Sequence, residues 1–294
     1  MRCPRNLFSL VLLSGAATIA SSANAMAGDL CCAPTIFRWG SQPPPEDDGK
    51  SKWDEPLASD RPDFTEASST VGKGLTQLEI GYTFIHDRAG TTETQQHSYP
   101  EALFRIGMFA DWFEWRIAYN NGSQGVTVGG VPFTSETGAE DLYLGVKLML
   151  TEQDGILPEM SLMPQMTVPT GVDAFSDDLT LPGVNWLYGW DIVEFLSTAG
   201  STQINKAVDD DGTVYYEIAQ SWTIGYTFTE HWGGYTEVFA LFPSGASTAL
   251  PEYYFDGGFI FPITNNLQFD VRAGIGLNEP ADDYFTGAGM VVRF

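Results

Sequence analysis

The stretch Leu267-Gln268-Phe269-Asp270-Val271-Arg272-Ala273-Gly274 carries an apolar side chain at every odd position and a polar residue or glycine at every even one. Successive side chains of a β-strand point to opposite faces, so this alternation predicts a strand with one apolar and one polar face. The same period of two occurs at 78–84, 113–119 and 142–148. No comparable helical periodicity appears after residue 75, which predicts an all-β chain.

Twelve segments are predicted to be strands. They are 75–85, 98–109, 112–121, 139–150, 157–168, 183–191, 195–205, 213–228, 232–242, 253–262, 266–276 and 284–294. Strands of soluble sheets usually have ~5–6 residues, whereas tilted strands that cross a bilayer need ~9–11. The greater lengths favour a transmembrane barrel over a soluble sandwich.

The predicted connections alternate in length. The short ones are 110–111, 151–156, 192–194, 229–231 and 263–265, and the long ones are 86–97, 122–138, 169–182, 206–212, 243–252 and 277–283. Outer-membrane barrels have short periplasmic turns and longer external loops. Residues 74–294 are therefore predicted to form an antiparallel up-and-down β-barrel of about twelve strands in outer-membrane lipid.

An export signal precedes the barrel. Arg2 and Arg5 are followed by an apolar stretch at 7–20 and by Ala23-Asn24-Ala25, the order of a secretory signal peptide and its cleavage site. The apolar stretch is shorter than the ~20 residues of a membrane-spanning helix, which disfavours an anchor. Residues 1–25 are predicted to be a signal peptide, and the expected location is the outer membrane of the cell.

Residues 26–73 are predicted to be a linker or N-terminal extension, because they are rich in Pro, Ser and acidic residues. Cys31 and Cys32 are neighbours whose Cα atoms lie ~3.8 Å apart, too close for the usual disulfide. We interpret them as an exposed pair in a linker, with lipid modification of Cys31 as the alternative.

Four charged residues stand just before the first strand: Asp60, Arg61, Asp63 and Glu66. This segment is a candidate plug that would enter the lumen and pair Arg61 with an interior carboxylate. A tether on the periplasmic side is an equal alternative.

Charged residues in the strands are expected to face the lumen, since a cation facing lipid at mid-depth costs ~2–4 kcal/mol. The predicted inward set is Glu79, Glu101, Arg105, Glu114, Arg116, Asp141, Lys147, Glu159, Asp191, Glu217, Glu237, Asp256, Asp270, Arg272 and Arg293. With ten acidic and five basic members, an open path would prefer cations or neutral solutes to anions. A packed polar interior that shuts a narrow barrel is the alternative.

Composition restricts the other function classes. The chain has 14 Lys+Arg against 38 Asp+Glu, a net charge of −24, so nucleic acid is not an expected partner. His86, His97 and His231 are its only histidines, and neither a metal-binding His/Cys spacing nor a Gly-x-Ser-x-Gly elbow is present. We expect no catalysis and no cofactor.

Acidic residues also gather in the long connections. They are Asp173, Asp177 and Asp178, then Asp209, Asp210 and Asp211, and finally Asp282 and Asp283. Such groups can hold Ca²⁺ or Mg²⁺, but the spacing matches no closed ligand set. Asp209–Asp211 is thus a weak metal candidate, and solvated loops are the preferred interpretation.

The last strand alternates from Tyr284 to a C-terminal Phe294, as in outer-membrane barrels, whose assembly machinery reads the terminal strand. That machinery is an expected partner. Pro164 interrupts a predicted strand, and because it has no N–H we expect a β-bulge there.

Five segments resemble one family: 59–66 (Ser-Asp-Arg-Pro-Asp-Phe-Thr-Glu), 100–107 (Pro-Glu-Ala-Leu-Phe-Arg-Ile-Gly), 140–147 (Glu-Asp-Leu-Tyr-Leu-Gly-Val-Lys), 168–171 (Val-Pro-Thr-Gly) and 266–270 (Asn-Leu-Gln-Phe-Asp). The family is the outer-membrane barrel "transporter" family described as a putative MetA pathway of phenol degradation, and the resemblance covers about 59–294. It implies a barrel that moves hydrophobic or aromatic compounds. The expected function is a channel or transporter for small solutes, and the alternative is a structural or adhesive barrel with a blocked lumen.

Overall fold

The computed structural model describes residues 33–39 and 51–294. The predicted signal peptide, Cys31 and Cys32 lie outside these ranges. In the described part of the chain, no helix is long and apolar enough to cross a membrane.

Fourteen antiparallel strands make up the described fold. They are β1 (Thr76–Ala89), β2 (Thr92–Gly107), β3 (Phe113–Tyr119), β4 (Asn121–Val128), β5 (Val131–Ala139), β6 (Leu142–Thr151), β7 (Glu159–Val168), β8 (Leu181–Val193), β9 (Leu196–Val208), β10 (Val214–Thr229), β11 (Trp232–Ser244), β12 (Glu252–Thr264), β13 (Leu267–Gly276) and β14 (Tyr284–Arg293).

Twelve of these strands close into a barrel, as predicted. β1 pairs with both β2 and β14, and its register with β14 runs from Gln77 opposite Arg293 to His86 opposite Tyr284. From β2 the wall continues through β3 and β6, and then through β7 to β14 in chain order. Every barrel connection therefore joins neighbouring strands, which is the up-and-down topology.

The predicted connection 122–138 is not a loop but the β4–β5 hairpin. β4 continues the line of β3 and pairs with β2 from Thr92 to Ser98, while β5 leads into β6. Gly129 and Gly130, with φ of 58° and 80°, make the turn. The hairpin escaped prediction because apolar/polar alternation occurs here only in short pieces, at 126–128 and 131–133, between glycines and polar residues.

The prediction that residues 86–97 form a loop was wrong for the same reason. β1 extends to Ala89 and β2 resumes at Thr92, so only two residues form the turn, with Gly90 at φ 66°. Of the residues there, only the threonines favour strands, and most of the others are polar, so the wall continues without an apolar face.

The bulge expected at Pro164 is also absent. The β6–β7 register is the same on both sides, with Gly145 opposite Gln165 and Leu148 opposite Leu162, and the irregularity lies between Met149 and Thr151. Pro164 lacks one N–H, which interrupts the ladder without adding a residue.

The two faces of the wall differ as the alternation predicts. Outward rings such as Trp115, Trp186 and Phe255 are 42%, 45% and 43% exposed, whereas Arg105 and Lys147 are fully buried. An apolar exterior around a charged interior is the arrangement of a membrane barrel. The barrel accordingly lies in an outer membrane.

Candidate functional site in the barrel lumen

The interior of the barrel is crossed by residues 58–72, which precede β1 and are called the crossing segment below. The Ala58 carbonyl accepts a hydrogen bond from Gln77 on β1 at 2.9 Å. The Thr65 hydroxyl lies 2.6 Å from that of Ser221 on β10, and the Val71 N–H donates to Glu114 on β3 at 2.8 Å. Because these strands lie in different parts of the wall, the segment extends across the lumen.

Asp60 is the charged centre of this segment. Its Oδ1 accepts a hydrogen bond from Lys147 Nζ at 3.0 Å and lies 3.4 Å from Arg105 Nη1. Its Oδ2 accepts from Arg116 Nη1. The three cations belong to neighbouring strands, so one carboxylate joins β2, β3 and β6.

Arg105 also donates hydrogen bonds to acceptors on both the wall and the crossing segment. On the wall, Arg105 donates to Glu79 at 3.1 Å and, in a bidentate pair, to Glu114 at 2.8 and 3.1 Å. On the crossing segment, Arg105 donates to the carbonyls of Ala58 and Ser69, each at 2.9 Å. A buried guanidinium needs such partners for its five N–H groups.

The crossing segment adds further acceptors for Arg116 and Lys147. Arg116 Nη2 donates to Glu66 Oε1 at 2.5 Å, and Lys147 Nζ donates to the Ala67 carbonyl at 2.6 Å. Glu66 Oε2 accepts from Asn185 on β8 at 2.9 Å. Glu66 therefore links the basic side of the lumen to β8.

Arg61 places a positive charge against the neighbouring part of the wall, from β2 to β13. Its guanidinium donates to Glu101 on β2 at 2.8 Å and to Asp270 on β13 at 3.3 Å. Arg272, also on β13, donates to the Pro62 carbonyl at 3.0 Å and to the Thr83 hydroxyl at 2.9 Å.

The middle of the crossing segment rests on β10 and β11. The rings of Phe64 and Phe239 stack with centroids 4.5 Å apart and an interplanar angle of 3°. Glu237 accepts hydrogen bonds from the N–H groups of Phe64 and Thr65 at 2.6 and 2.8 Å and from the Thr65 hydroxyl at 2.5 Å.

Asp60 is surrounded by positively charged side chains, whereas Asp63 lies near other carboxylates. Burial opposes ionisation of Asp60, but Arg105, Arg116 and Lys147 together hold its pKa well below the usual range. Burial and the nearby carboxylates of Glu237 and Asp256 raise the pKa of Asp63 well above that range. Two acidic residues three positions apart thus face a basic and an acidic part of the lumen.

The structure places the remaining predicted residues as follows. Glu159 accepts from the Ser68 hydroxyl at 2.6 Å, Asp256 accepts from the Tyr235 hydroxyl at 2.6 Å, and Glu217 is half-buried on the inner side of β10. Asp141 lies just before β6, where it accepts from the N–H groups of Thr170 and Gly171, and Asp191 is exposed near the end of β8. Arg293 donates to the carbonyls of Trp53 and Glu55, at the end of the barrel where the chain enters.

Several contact residues were not among the predicted ones. Phe64, Thr65, Ser68, Asn185 and Ser221 are uncharged, and the cost of facing lipid marks only charged side chains as inward. Asn185 and Ser221 occupy inward positions of the strand period and are buried, so that period was the available signal.

A cavity of about 490 Å³ lies next to the crossing segment. It is lined by Asp60, Arg61, Asp63, Phe64, Glu66, Glu79, Glu101, Ala102, Leu103, Ala118, Asn120, Tyr143, Gln165, Gln203 and Arg272. Asn120 and Tyr143 flank the β4–β5 hairpin, which puts this cavity towards the end of the barrel with the longer connections.

The acidic cluster at Asp209–Asp211 is engaged by donors. Asp209 accepts from the N–H groups of Ser247 and Thr248 at 2.6 and 2.7 Å, and Asp211 accepts from the Ser247 hydroxyl at 2.6 Å. Among the residues that the structure describes, no group of three His, Cys, Asp or Glu is placed to hold a metal ion. The cluster therefore ties the β9–β10 loop to the β11–β12 loop.

The fold has counterparts among solved structures. The COG4313 outer membrane channel from Pseudomonas putida F1 is similar, with a TM-score of 0.61 and 12% identity over 77% of this chain and 98% of that one. The KdgM porin has a TM-score of 0.44 and 10% identity over 74% of this chain and 99% of that one. The beta domain of the Bordetella autotransporter BrkA has a TM-score of 0.48 and 9% identity over 75% and 99%. At 12% identity the first similarity establishes the fold.

Among curated proteins, none matches this sequence. A family model described as "Putative MetA-pathway of phenol degradation" matches residues 59–294, which include all the strands and the crossing segment except its first residue. The chain belongs to this outer-membrane barrel family.

Proposed function

We propose that this protein is an outer-membrane channel for small solutes and that the crossing segment is its plug. The observation that carries the proposal is the contact of Asp60 with Arg105, Arg116 and Lys147, while Arg61 joins Glu101 and Asp270. These ion pairs hold the segment by side chains, with no strand pairing to the wall. A segment held in this way can leave without unfolding the barrel.

The lumen is proposed to favour neutral and cationic solutes over anions. Among the residues that line the cavity, Asp60, Asp63, Glu66, Glu79 and Glu101 are acidic, and only Arg61 and Arg272 are basic. A pore lined by an excess of one charge attracts solutes of the opposite sign. The wider inward set, with its acidic excess, supports the same selectivity.

Aromatic compounds are the proposed solute class within this range. Phe64 stacks on Phe239, which stacks on Tyr254 at 4.7 Å, so the lumen contains ring faces beside polar groups. Offset or stacked rings gain about 0.5–1.5 kcal/mol beyond the burial of their area. Displacement of Phe64 would leave the face of Phe239 to an aromatic solute, in agreement with the description of the family.

Planar-bilayer recordings test the channel. The full chain should show low or intermittent conductance, and Asp60→Asn should raise it because three buried cations lose their shared partner. Asp191→Asn, at an exposed position, is the matched control and should behave as wild type. Absence of conductance in every form would instead support the blocked structural barrel.

Selectivity and substrate need separate measurements. The reversal potential of the Asp60→Asn channel in a KCl gradient should show cation preference, and anion preference would contradict the proposed lumen charge. Liposome swelling with matched aromatic and aliphatic alcohols should be faster for the aromatic solute.

A further inference from the structure

We propose that the wall pocket which holds Asp60 is a binding site for the carboxylate of a small solute, and that such a solute competes with Asp60 for it. The pocket consists of Arg105, Arg116 and Lys147 and is called the cation pocket below. The inference rests on the proposed function, since the crossing segment must be able to leave. The acidic excess concerns the flow of solutes through the lumen, whereas the cation pocket is a local cluster of positive charge that would hold one anion.

The cation pocket is built by the barrel. Register pairs place Arg105 opposite Arg116 across β2–β3, and Lys147 opposite Glu114 across β3–β6. All three cations are at most 1% exposed. The strand register therefore fixes their backbone positions, and the crossing segment supplies part of the hydrogen bonds to their side chains.

The charge of the pocket suits one anion. On the wall, the three cations are accompanied by Glu79 and Glu114, so the wall groups together carry one positive charge. Lys147 donates to Asp60 and to the Ala67 carbonyl, both on the crossing segment. Departure of the segment would remove these partners, and an unpaired buried charge is costly. A single carboxylate from solution would restore the balance.

The geometry favours a carboxylate over a spherical anion. Asp60 divides its oxygens, with Oδ1 near Lys147 and Arg105 at 3.0 and 3.4 Å and Oδ2 on Arg116. The two oxygens of one carboxylate thus reach cations on three strands, whereas a chloride ion offers a single acceptor centre. Asp60 and Glu79 also line the 490 Å³ cavity, so a solute in the cavity lies beside the pocket.

Calorimetry on the full chain in detergent tests the site. Acetate and benzoate are the probes, with benzyl alcohol and chloride as the neutral and spherical comparisons. Asp60→Asn should bind both carboxylates about tenfold or more tightly than wild type, because the competing carboxylate is gone and the pocket is no longer mostly occupied. Benzyl alcohol and chloride should show no such gain.

Two matched variants identify the pocket. Asp63→Asn makes the same change of side chain in the same segment, but Asp63 lies near Glu237 and Asp256 and not near the three cations. It should therefore keep wild-type carboxylate affinity. In Asp60→Asn, the additional change Lys147→Met should remove the gain.

A third variant keeps the pocket and Asp60 intact. Gly289→Ala crowds Arg61, and a looser crossing segment should also strengthen carboxylate binding. If Asp60→Asn fails to fold, the carboxylate affinity of Gly289→Ala tests the inference in its place. No gain in a folded Asp60→Asn or Gly289→Ala barrel, or an equal gain for chloride, would overturn the inference.

Conductance of the same preparations separates the two proposals. If the channels conduct but the variants bind carboxylates no more tightly than wild type, the proposed carboxylate site is refuted and the proposed channel is not. If the variants bind carboxylates more tightly but no form conducts, the proposed channel is refuted and the proposed carboxylate site is not.

Discussion

Gly81 and Gly289 stand opposite each other across the β1–β14 pair, and the Arg61 guanidinium fills the space that a side chain at either position would need. A Cβ at Gly81 would lie 2.0 Å from Arg61 Nη1, and a Cβ at Gly289 would lie 2.1 Å from its Nε. The two glycines therefore admit Arg61 to its contacts with Glu101 and Asp270.

Gly289→Ala should loosen the crossing segment while the strand pairing of the barrel wall stays intact. The obstructed group is the far end of a flexible side chain, which moves more readily than paired backbone. We expect Arg61 to lose its ion pairs and the mean conductance to rise.

The control for this change is Gly125→Ala on β4, where a Cβ would meet no atom within 4 Å. It should leave conductance unchanged. Unaltered conductance in Gly289→Ala as well would mean that Arg61 has no part in closing the lumen.

Phe64→Ala should also loosen the crossing segment. It removes the stacked pair with Phe239, a loss of about 1 kcal/mol beyond area burial, or roughly a fivefold shift in the equilibrium between seated and released segment. Limited proteolysis in detergent should cut residues 58–72 faster.

Phe104→Ala removes a ring of the same type from the lipid-facing side, where Phe104 is 40% exposed. It should leave proteolysis of the crossing segment unchanged. Equal acceleration in both variants would show general loosening of the barrel instead.

The strand period was sufficient to predict the wall, because a barrel sorts alternate residues between lipid and lumen. It separated Arg116 inside from Trp115 outside, as the exposures show. The period failed where the wall leaves the membrane, since an outward face in water need not be apolar. The β4–β5 hairpin was missed for that reason.

The contacts of the crossing segment could not be predicted in the same way. Residues 58–72 have no period, and Asp60 meets Arg105 and Lys147 only because β2 and β6 both pair with β3, which places them on one side of the lumen. The sequence left plug and tether as equal alternatives for this reason. Burial of Asp60 among three cations depends on distances that no local pattern contains.

Removal of the C-terminal ring should impair assembly. Phe294 exchanges two 2.8 Å backbone hydrogen bonds with Thr76 and completes the pairing that closes the barrel. If the assembly machinery reads the terminal strand through this ring, Phe294→Ala should lower the amount of folded barrel in the outer membrane. The two backbone hydrogen bonds to Thr76 do not involve the ring and would remain in Phe294→Ala.

Folded barrel can be measured by heat-modifiable mobility in gels of membrane fractions. Phe269→Ala, another outward ring that is 44% exposed, is the control and should assemble normally. Normal assembly of Phe294→Ala would refute recognition through the terminal ring.

Asp209→Asn should release the β11–β12 loop. Hydrogen bonds from Thr248, then from Ser247 and Ala249, hold the pKa of Asp209 below its usual range. A lowered pKa means that the link is present above the ordinary carboxyl range and is lost as the pH falls through the lowered value. Hydrogen exchange of residues 245–251 should therefore stay slow at pH 5 in wild type and become fast in the variant.

Asp210→Asn is the neighbouring control, because Asp210 contributes only its backbone N–H to Asp209 at 2.9 Å. Exchange of 245–251 should remain slow in it. Fast exchange in both variants would indicate that loop charge, and not the Asp209 contacts, orders these residues.

The β13–β14 loop should have the opposite pH dependence. Burial, together with the carboxylates of Glu252 and Asp87, raises the pKa of Asp282 to about 6. A carboxyl with a raised pKa binds its proton more strongly in the folded loop, so folding of the loop is favoured as the pH falls through about 6 and opposed above it. Hydrogen exchange at 277–283, corrected for its intrinsic pH dependence, should be slower at pH 5 than at pH 8.

A second titratable pair faces the same loop, since His86 Nδ1 lies 3.6 Å from Asp283 Oδ2. The contribution of Asp282 must therefore be separated from that of this contact. Asp282→Asn should make exchange at pH 8 as slow as at pH 5 and remove the pH dependence. Persistence of the dependence in Asp282→Asn, together with its loss in His86→Gln, would refute its assignment to Asp282.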